Sequence, residues 1–173
     1  MSRKVTLLLL ILVIASAIVY AGNVHFVGGV STSSGSFVAQ GDAAGLGSGS
    51  YTFVLTANAQ VTALCQNNGG HVAPGRSPIN VSTASSDTFV SDSNGRTHVF
   101  LSAPDPTVLT PPPPSPSPKD AGCPSNNWTV IGFEAGSTYW TGATLQAFDN
   151  ANGALVLEIS WTCAGTAESC VEN

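Results

Sequence analysis

The sequence predicts an all-β fold, an antiparallel sandwich of immunoglobulin-like architecture with about eight or nine strands, and three observations carry that prediction. Apolar and polar residues alternate over 51–57, 60–65 and 154–163, the period-2 pattern of strands with one buried face. Turn residues separate these runs at short intervals, most clearly Ser93-Asn94-Gly95 and Asn152-Gly153. Beyond the N-terminal apolar stretch, no run combines helical periodicity with capping residues.

The chain opens with Arg3 and Lys4, an apolar run over 5–19, and then Val19-Tyr20-Ala21, with small side chains where a signal peptidase inspects them. This predicts a secretory signal peptide over 1–21, cleaved after Ala21. Retained, the same run would be an N-terminal anchor just short of a membrane span. No cysteine follows it to take a lipid. Residues 22–173 are then expected to form one β-sandwich domain with a single core.

Charge narrows the partners. Without Arg3 and Lys4 the basic residues are Arg76, Arg96 and Lys119, three against the ten acidic residues of the chain, an excess of seven negative charges. No basic patch is available for nucleic acid or an anionic membrane surface. Charged residues make up 9% of the chain, against roughly 25% in ordinary soluble domains. Serine, threonine, asparagine and glycine take their place, so solubility is carried by hydroxyls and amides.

Four cysteines, Cys65, Cys123, Cys163 and Cys170, contain no CxxC pair. In an exported chain they point to two disulfides rather than to metal ligation. Three connectivities are open. The favoured one joins Cys65 to Cys123 across a long loop and Cys163 to Cys170 around the C-terminal tail.

Taken in order, 23–27 is a short strand candidate, followed by a Gly/Ser turn and a second strand over 36–42. The Ala44-Gly-Leu-Gly-Ser-Gly49 bend leads to the runs 51–57 and 60–65, which are expected to meet in a tight hairpin at Asn58. From Cys65 to Pro78 the alternation stops. Asn67-Asn68-Gly69-Gly70 tolerates positive φ, and Pro74-Gly75 and Pro78 fix turns, so a long surface loop is expected there. Beyond it come a weak strand over 79–83 and strands over 87–91 and 96–103, flanking the Ser93-Asn94-Gly95 hairpin signal.

Between 104 and 118 lie Pro104, Pro106, Pro111 to Pro114, Pro116 and Pro118, a composition suited to a solvated polyproline II crossover between two halves of the sandwich. Strands over 128–134, 138–148 and 154–163 follow, with a type I′ hairpin signal at Asn152-Gly153. In the last of them Leu155, Leu157, Ile159, Trp161 and Cys163 share one face, so it is a core strand with one wet face.

The pattern Cys-x-Asn-x-Gly-Gly-x-x-x-Pro-Gly at 65–75, followed by Asp-Ala-Gly-Cys-Pro-Ser-Asn-Asn-Trp-Thr at 120–129, resembles a group of secreted bacterial β-rich proteins to which no activity is assigned. Their chains also open on a His-Phe strand like His25-Phe26. Cys170 and the four-proline run depart from that pattern. The resemblance spans most of 22–173 and implies secretion and a β fold, with no binding residue and no cofactor. The glycosylation sequons at Asn80 and Asn127 matter only in a eukaryotic secretory pathway, and the resemblance points to bacteria.

Catalytic signatures are sparse. His25, His71 and His98 are far apart in the sequence and have no metal-ligand spacing, so no metal is expected. No Gly-x-Ser-x-Gly elbow occurs, and the glycines at 45, 47 and 49 follow no strand-to-helix pattern that would cradle phosphate. Glu134 and Glu158 could pair as in a glycosidase only if their strands were neighbours. Asp149, Asn150 and Asn152 form an oxygen-rich turn but miss the alternating ligand spacing of a calcium loop. Strict alternation over 139–148 puts Tyr139 with Leu145 and leaves Trp140, Phe148, Thr144 and Gln146 on the opposite face. Trp140, Phe148 and Gln146 are therefore the candidate binding residues, rings and an amide that could hold a sugar.

These readings together predict an exported structural or interaction module of the cell surface or extracellular space, not an enzyme and without a cofactor, whose partner is an extracellular protein or a polysaccharide. The alternatives are a carbohydrate-binding module using exposed aromatics and, further off, a small secreted hydrolase.

Overall fold

The structure is a computed structural model and describes residues 24–109 and 116–173. The signal-peptide expectation over 1–21 falls outside the described residues.

Nine strands are formed among the described residues: β1 (His25–Ser33), β2 (Ser36–Ala44), β3 (Ser50–Gln66), β4 (Val72–Val90), β5 (Thr97–Ala103), β6 (Thr129–Phe133), β7 (Tyr139–Asp149), β8 (Leu155–Gly165) and β9 (Val171–Glu172). They make two antiparallel sheets. One has three strands in the order β1-β2-β5; the other has six, in the order β4-β3-β7-β8-β9 with β6 also on β3. The all-β, two-sheet antiparallel architecture expected from the alternation is therefore present.

β3 is the axis of the larger sheet. Tyr51, Phe53, Leu55, Ala57, Ala59, Val61, Ala63 and Cys65 are all buried, while the residues between them face outward. The expected hairpin at Asn58 does not form, because this parity runs through Asn58 without a break. A turn there would have pulled Ala59 and Val61 out of the core. Asn58 instead sits on the outer face, accepting a hydrogen bond from Ser82 Oγ at 2.6 Å. Along its other edge β3 carries β6 and β7 end to end, β6 against Ala63–Gln66 and β7 against Tyr51–Gln60.

The Cys65–Pro78 junction is a tight turn followed by strand rather than a long loop. Asn67 Oδ1 accepts from the amides of Gly69 (2.9 Å) and His71 (3.0 Å), and Gly70 takes a positive φ of 81°. β4 starts at Val72, and its prolines are accommodated because it is an edge strand. Between its pairings at Pro74 and Pro78 the strand bulges, and the chain around Cys123 docks there. Arg76 N donates to Gly122 O (3.1 Å) and Ser77 N to Ala121 O (3.4 Å). A Cβ on Gly75 would stand 2.1 Å from the Ala121 carbonyl oxygen, so only glycine fits. Ala121 is fully buried, and the Cys65–Cys123 disulfide fastens the knot. The segments 65–75 and 120–123 thus meet at one structural junction.

Asn94-Gly95 does turn the chain: Asp92 Oδ1 accepts from Asn94 N (2.9 Å) and Arg96 N (2.8 Å), and Gly95 has φ 70°. It does not make a hairpin within one sheet. β4 pairs with β3 and β5 pairs with β2, so the turn is a corner from one sheet to the other. Asn152-Gly153 does join a paired β7–β8 hairpin. Only Gly153 of the two has positive φ, so the loop is wider than a type I′ turn. The two-residue type I′ geometry occurs instead at Ser34-Gly35, where both φ values are positive, 50° and 82°.

The sheets pack through Phe37 of β2 against Trp140 of β7, edge to face with ring centroids 5.2 Å apart. Leu46, carried by the β2–β3 bend, plugs one end, and its carbonyl accepts from Tyr51 Oη. Asp105 Oδ1 ties the other end, accepting from Thr107 N, Thr107 Oγ1 and Thr138 Oγ1. The chain from β5 to β6, which contains the proline-rich stretch, crosses from the smaller to the larger sheet. The second disulfide joins Cys163 to Cys170, so both pairings are those the sequence favoured. Two disulfides fit an oxidising, extracellular environment. No helix among the described residues is long and apolar enough to cross a membrane.

Candidate functional site

The candidate site is the outer face of the six-stranded sheet. It is composed of rows set by strand register. Thr52 stands beside Thr88 and Phe148; Val54 beside Ser86, Gln146 and Glu158; Thr56 beside Ala84, Thr144 and Ser160. Asn58 stands beside Ser82, Gly142 and Thr162, and Gln60 beside Asn80 and Tyr139. Glu158 is the one charged side chain in these five rows. It accepts a hydrogen bond from Gln146 Nε2 at 2.6 Å.

Cross-strand hydrogen bonds hold much of this face in register. Gln60 Nε2 donates to Asn80 Oδ1 (3.2 Å), Ser82 Oγ to Asn58 Oδ1 (2.6 Å), and the hydroxyls of Thr52 and Thr88 lie 3.2 Å apart. Such pairs use part of each group's capacity. A hydroxyl or a primary amide has further donors and acceptors to offer outward.

Of the expected binding residues, Gln146 and Phe148 lie on this face, both half-buried. Trp140 does not: it is 2% exposed and packs in the core against Phe37. The cause is a β-bulge at Thr141. β3 pairs Ala59 with Trp140 and Asn58 with Gly142, so Thr141 is an extra residue against β3. One extra residue reverses the side-chain parity before it. Tyr139 therefore exchanges places with Trp140, lies on the Gln60 row and is 48% exposed. Its ring rests on Gly165, where a Cβ would approach Tyr139 Cε2 to 2.9 Å. Sequence alternation missed Tyr139. The signal available was Gly142, a residue that weakens regular strand and often marks a bulge.

The carboxylate pair does not form. Glu134 follows β6, with its amide donating to Thr62 O, whereas Glu158 lies in the Val54 row. Eight residues of β3 separate those rows, about 27 Å at strand rise, against the roughly 5–9.5 Å of glycosidase pairs.

The Asp149–Asn152 turn spends its oxygens on itself and its neighbours. Asp149 Oδ1 accepts from Ala151 N and Oδ2 from Asn152 Nδ2, while Asn150 Oδ1 accepts from Thr52 Oγ1. It borders an open groove of about 930 Å³ shared with the β2–β3 bend.

On the outer face of the three-stranded sheet, the fold brings together two histidines that the sequence separates. His25 and His98 line a shallow cleft of about 450 Å³ with Asp42, Asp92 and Arg96. His98 Nδ1 lies 2.9 Å from Asp42 Oδ1, both side chains being mostly exposed. His71 is apart from them, at the β3–β4 turn. No group of three or more His, Cys, Asp or Glu among the described residues is placed to hold a metal ion.

Comparison with known proteins adds no relative: no protein-family model, curated protein or solved structure matches this chain. The immunoglobulin-like label therefore rests on the sequence reading alone.

Proposed function

We propose that this chain is an exported interaction module of the cell surface or extracellular space, not an enzyme, and that it works through the outer face of the six-stranded sheet. The observation that carries the reading is that face: four adjacent long strands present hydroxyls and amides with a single carboxylate among them. A surface kept only for solubility normally mixes charges of both signs. In the five rows described, Glu158 is the one charge. Export is supported by the two disulfides and by the N-terminal sequence, and it agrees with the resemblance to secreted bacterial proteins. Partners are extracellular proteins or polysaccharides, and nucleic acid is disfavoured by the acidic balance of the chain.

The test is the fate of the protein in its native host. Culture fractionation with intact-mass analysis is expected to find a chain that starts at Gly22, lies outside the cytoplasm and is lighter by four hydrogens before reduction, as two disulfides require. A cytoplasmic chain that retains Met1 with free thiols contradicts the proposal.

A carbohydrate-binding reading is favoured by one specific observation, the presence of Tyr139 and Phe148 on that same face.

A further inference from the structure

We propose that the outer face of the six-stranded sheet binds an extended, uncharged polysaccharide running along β3, with Tyr139 and Phe148 as stacking platforms at its two ends. The proposal rests on the interaction-module reading above and names the ligand class for that face.

Three features select a glycan over a protein partner. Protein interfaces concentrate aromatic and apolar anchors at their centre and place polar groups around the rim. This face is the reverse: Thr56, Asn58 and Thr144 occupy the middle, and rings stand only at the Gln60 and Thr52 rows. Those rows are eight residues apart, about 27 Å of strand, which suits an elongated ligand of repeating chemistry. A polysaccharide offers that chemistry: hydroxyls that both donate and accept, matched to side-chain hydroxyls and amides, and ring faces that stack on aromatic side chains. The amides are pre-ordered, since Asn58 is held by Ser82 and Gln60 by Asn80, so less side-chain freedom is lost on binding.

Charge decides which glycan. The five rows hold no cation for an acidic sugar, Arg76 lying beyond them at the β4 bulge; their one carboxylate is Glu158, and the acidic excess of the chain repels polyanions. The ligand class is therefore neutral.

Tyr139 is suited to the stacking role. Gly165 backs its ring, so the ring is supported on one side while 48% of the residue remains exposed. Removing the ring leaves the core untouched.

The experiment is affinity electrophoresis of the full exported chain in native gels containing hydroxyethyl cellulose, laminarin or arabinoxylan, with polygalacturonate as the acidic comparator. Retardation by at least one neutral glycan and none by polygalacturonate is expected. Tyr139→Ala is expected to weaken binding by about tenfold or more, a shift of about 1.4 kcal/mol, and Thr56→Arg to abolish it. Phe100→Ser, on the opposite sheet, is expected to leave it unchanged. The proposal is overturned if no neutral glycan retards the protein, if polygalacturonate retards it equally, or if Tyr139→Ala and Thr56→Arg both bind like the parent. Should every neutral glycan fail while adsorption to host envelope material is still lost in Thr56→Arg, the glycan assignment falls and the interaction module stands. Should that adsorption also be indifferent to Thr56→Arg, both fall.

Discussion

The two sheets of this sandwich share one core and differ in the build of their outer faces. The larger sheet is organised on β3, flanked on both edges, with eight buried side chains in strict alternation and an outer face almost free of charge. The smaller sheet has three strands and is held by a close backbone approach. Gly28 of β1 meets Gly41 of β2 so closely that a Cβ on either would clash, and the Phe26 ring covers the pair. Its outer face carries Asp42 and His98 beside exposed Val27 and Phe100, with Asp92 and Arg96 in the adjoining corner. Each outer face carries one strand carboxylate, Glu158 on the larger sheet and Asp42 on the smaller. What sets the larger face apart is its length and its five rows of mostly hydroxyls and amides, and on these rests the proposal that it is the working surface.

The comparison can be broken first at the bulge. Trp140→Ala is expected to cost about 3–5 kcal/mol, the range for emptying an aromatic site in a core, whereas the adjacent Tyr139→Ala is expected to cost under about 1 kcal/mol, as at exposed positions. Urea denaturation of both variants measures this. Equal losses would mean that the parity exchange at Thr141 is wrong.

The disulfides sharpen it next. Cys65–Cys123 closes a loop of 58 residues and Cys163–Cys170 one of 7. Loop-closure entropy assigns them roughly 4 and roughly 2 kcal/mol. Replacing each pair by serine and comparing urea midpoints should give the larger loss at the knot beside β3. The reverse order would place the structural weight on the C-terminal clip.

A smaller effect concerns Thr83, which points into the core from β4, and whose Oγ1 is the one buried side-chain oxygen without a hydrogen-bond partner among the described residues. Removing an unpaired hydroxyl while keeping its shape removes a desolvation penalty. Thr83→Val is therefore expected to be neutral or to stabilise by up to about 1 kcal/mol in the same denaturation assay. A clear destabilisation would show that the hydroxyl has a partner.

The subtlest effect is at the edge where the sheets meet. The Thr32 hydroxyl, with the Glu168 and Thr32 amides, holds the Glu168 carboxyl down from 4.5 to about 2. The bonds from Thr32 Oγ1 and N measure 2.8 and 3.2 Å and fasten β1 to the C-terminal 3₁₀ turn Ala167–Ser169. Because the folded value is depressed, the contribution is complete above about pH 4.5 and disappears as pH falls through about 2. Wild type and Glu168→Gln are expected to differ in melting temperature near neutral pH and to converge at pH 2. A difference that does not shrink across that window contradicts the assignment.

Much of this was legible in the residues. The alternation from Leu157 to Cys163 gave β8 and its wet face, whereas Leu155, expected on the core face with them, pairs with Phe148 beyond a bulge at Val156 and is 49% exposed. Of the three connectivities open to the four cysteines, the favoured one is the one formed. What was illegible depends on single-residue geometry. Asn58 carries a turn former's side chain inside a strand, and only the continuity of Ala57 and Ala59 with the core shows that the chain does not turn. Pro74 and Pro78 read as loop because their strand is an edge with a bulge that Ala121 and Gly122, distant in sequence, fill. Asn94-Gly95 announces a turn but cannot say whether its strands share a sheet. Thr141 is the costliest case for the site, since one inserted residue put Tyr139 outside and Trp140 inside.

The most direct measurement of the central claim is adsorption of purified protein to envelope material from its native host, comparing Thr56→Arg on the larger sheet with Gln40→Arg on the smaller. Both substitutions place a guanidinium in the middle strand of an outer face. Loss of adsorption in Thr56→Arg alone is the expected result. Loss in Gln40→Arg alone would contradict the account and assign the working surface to the outer face of the three-stranded sheet.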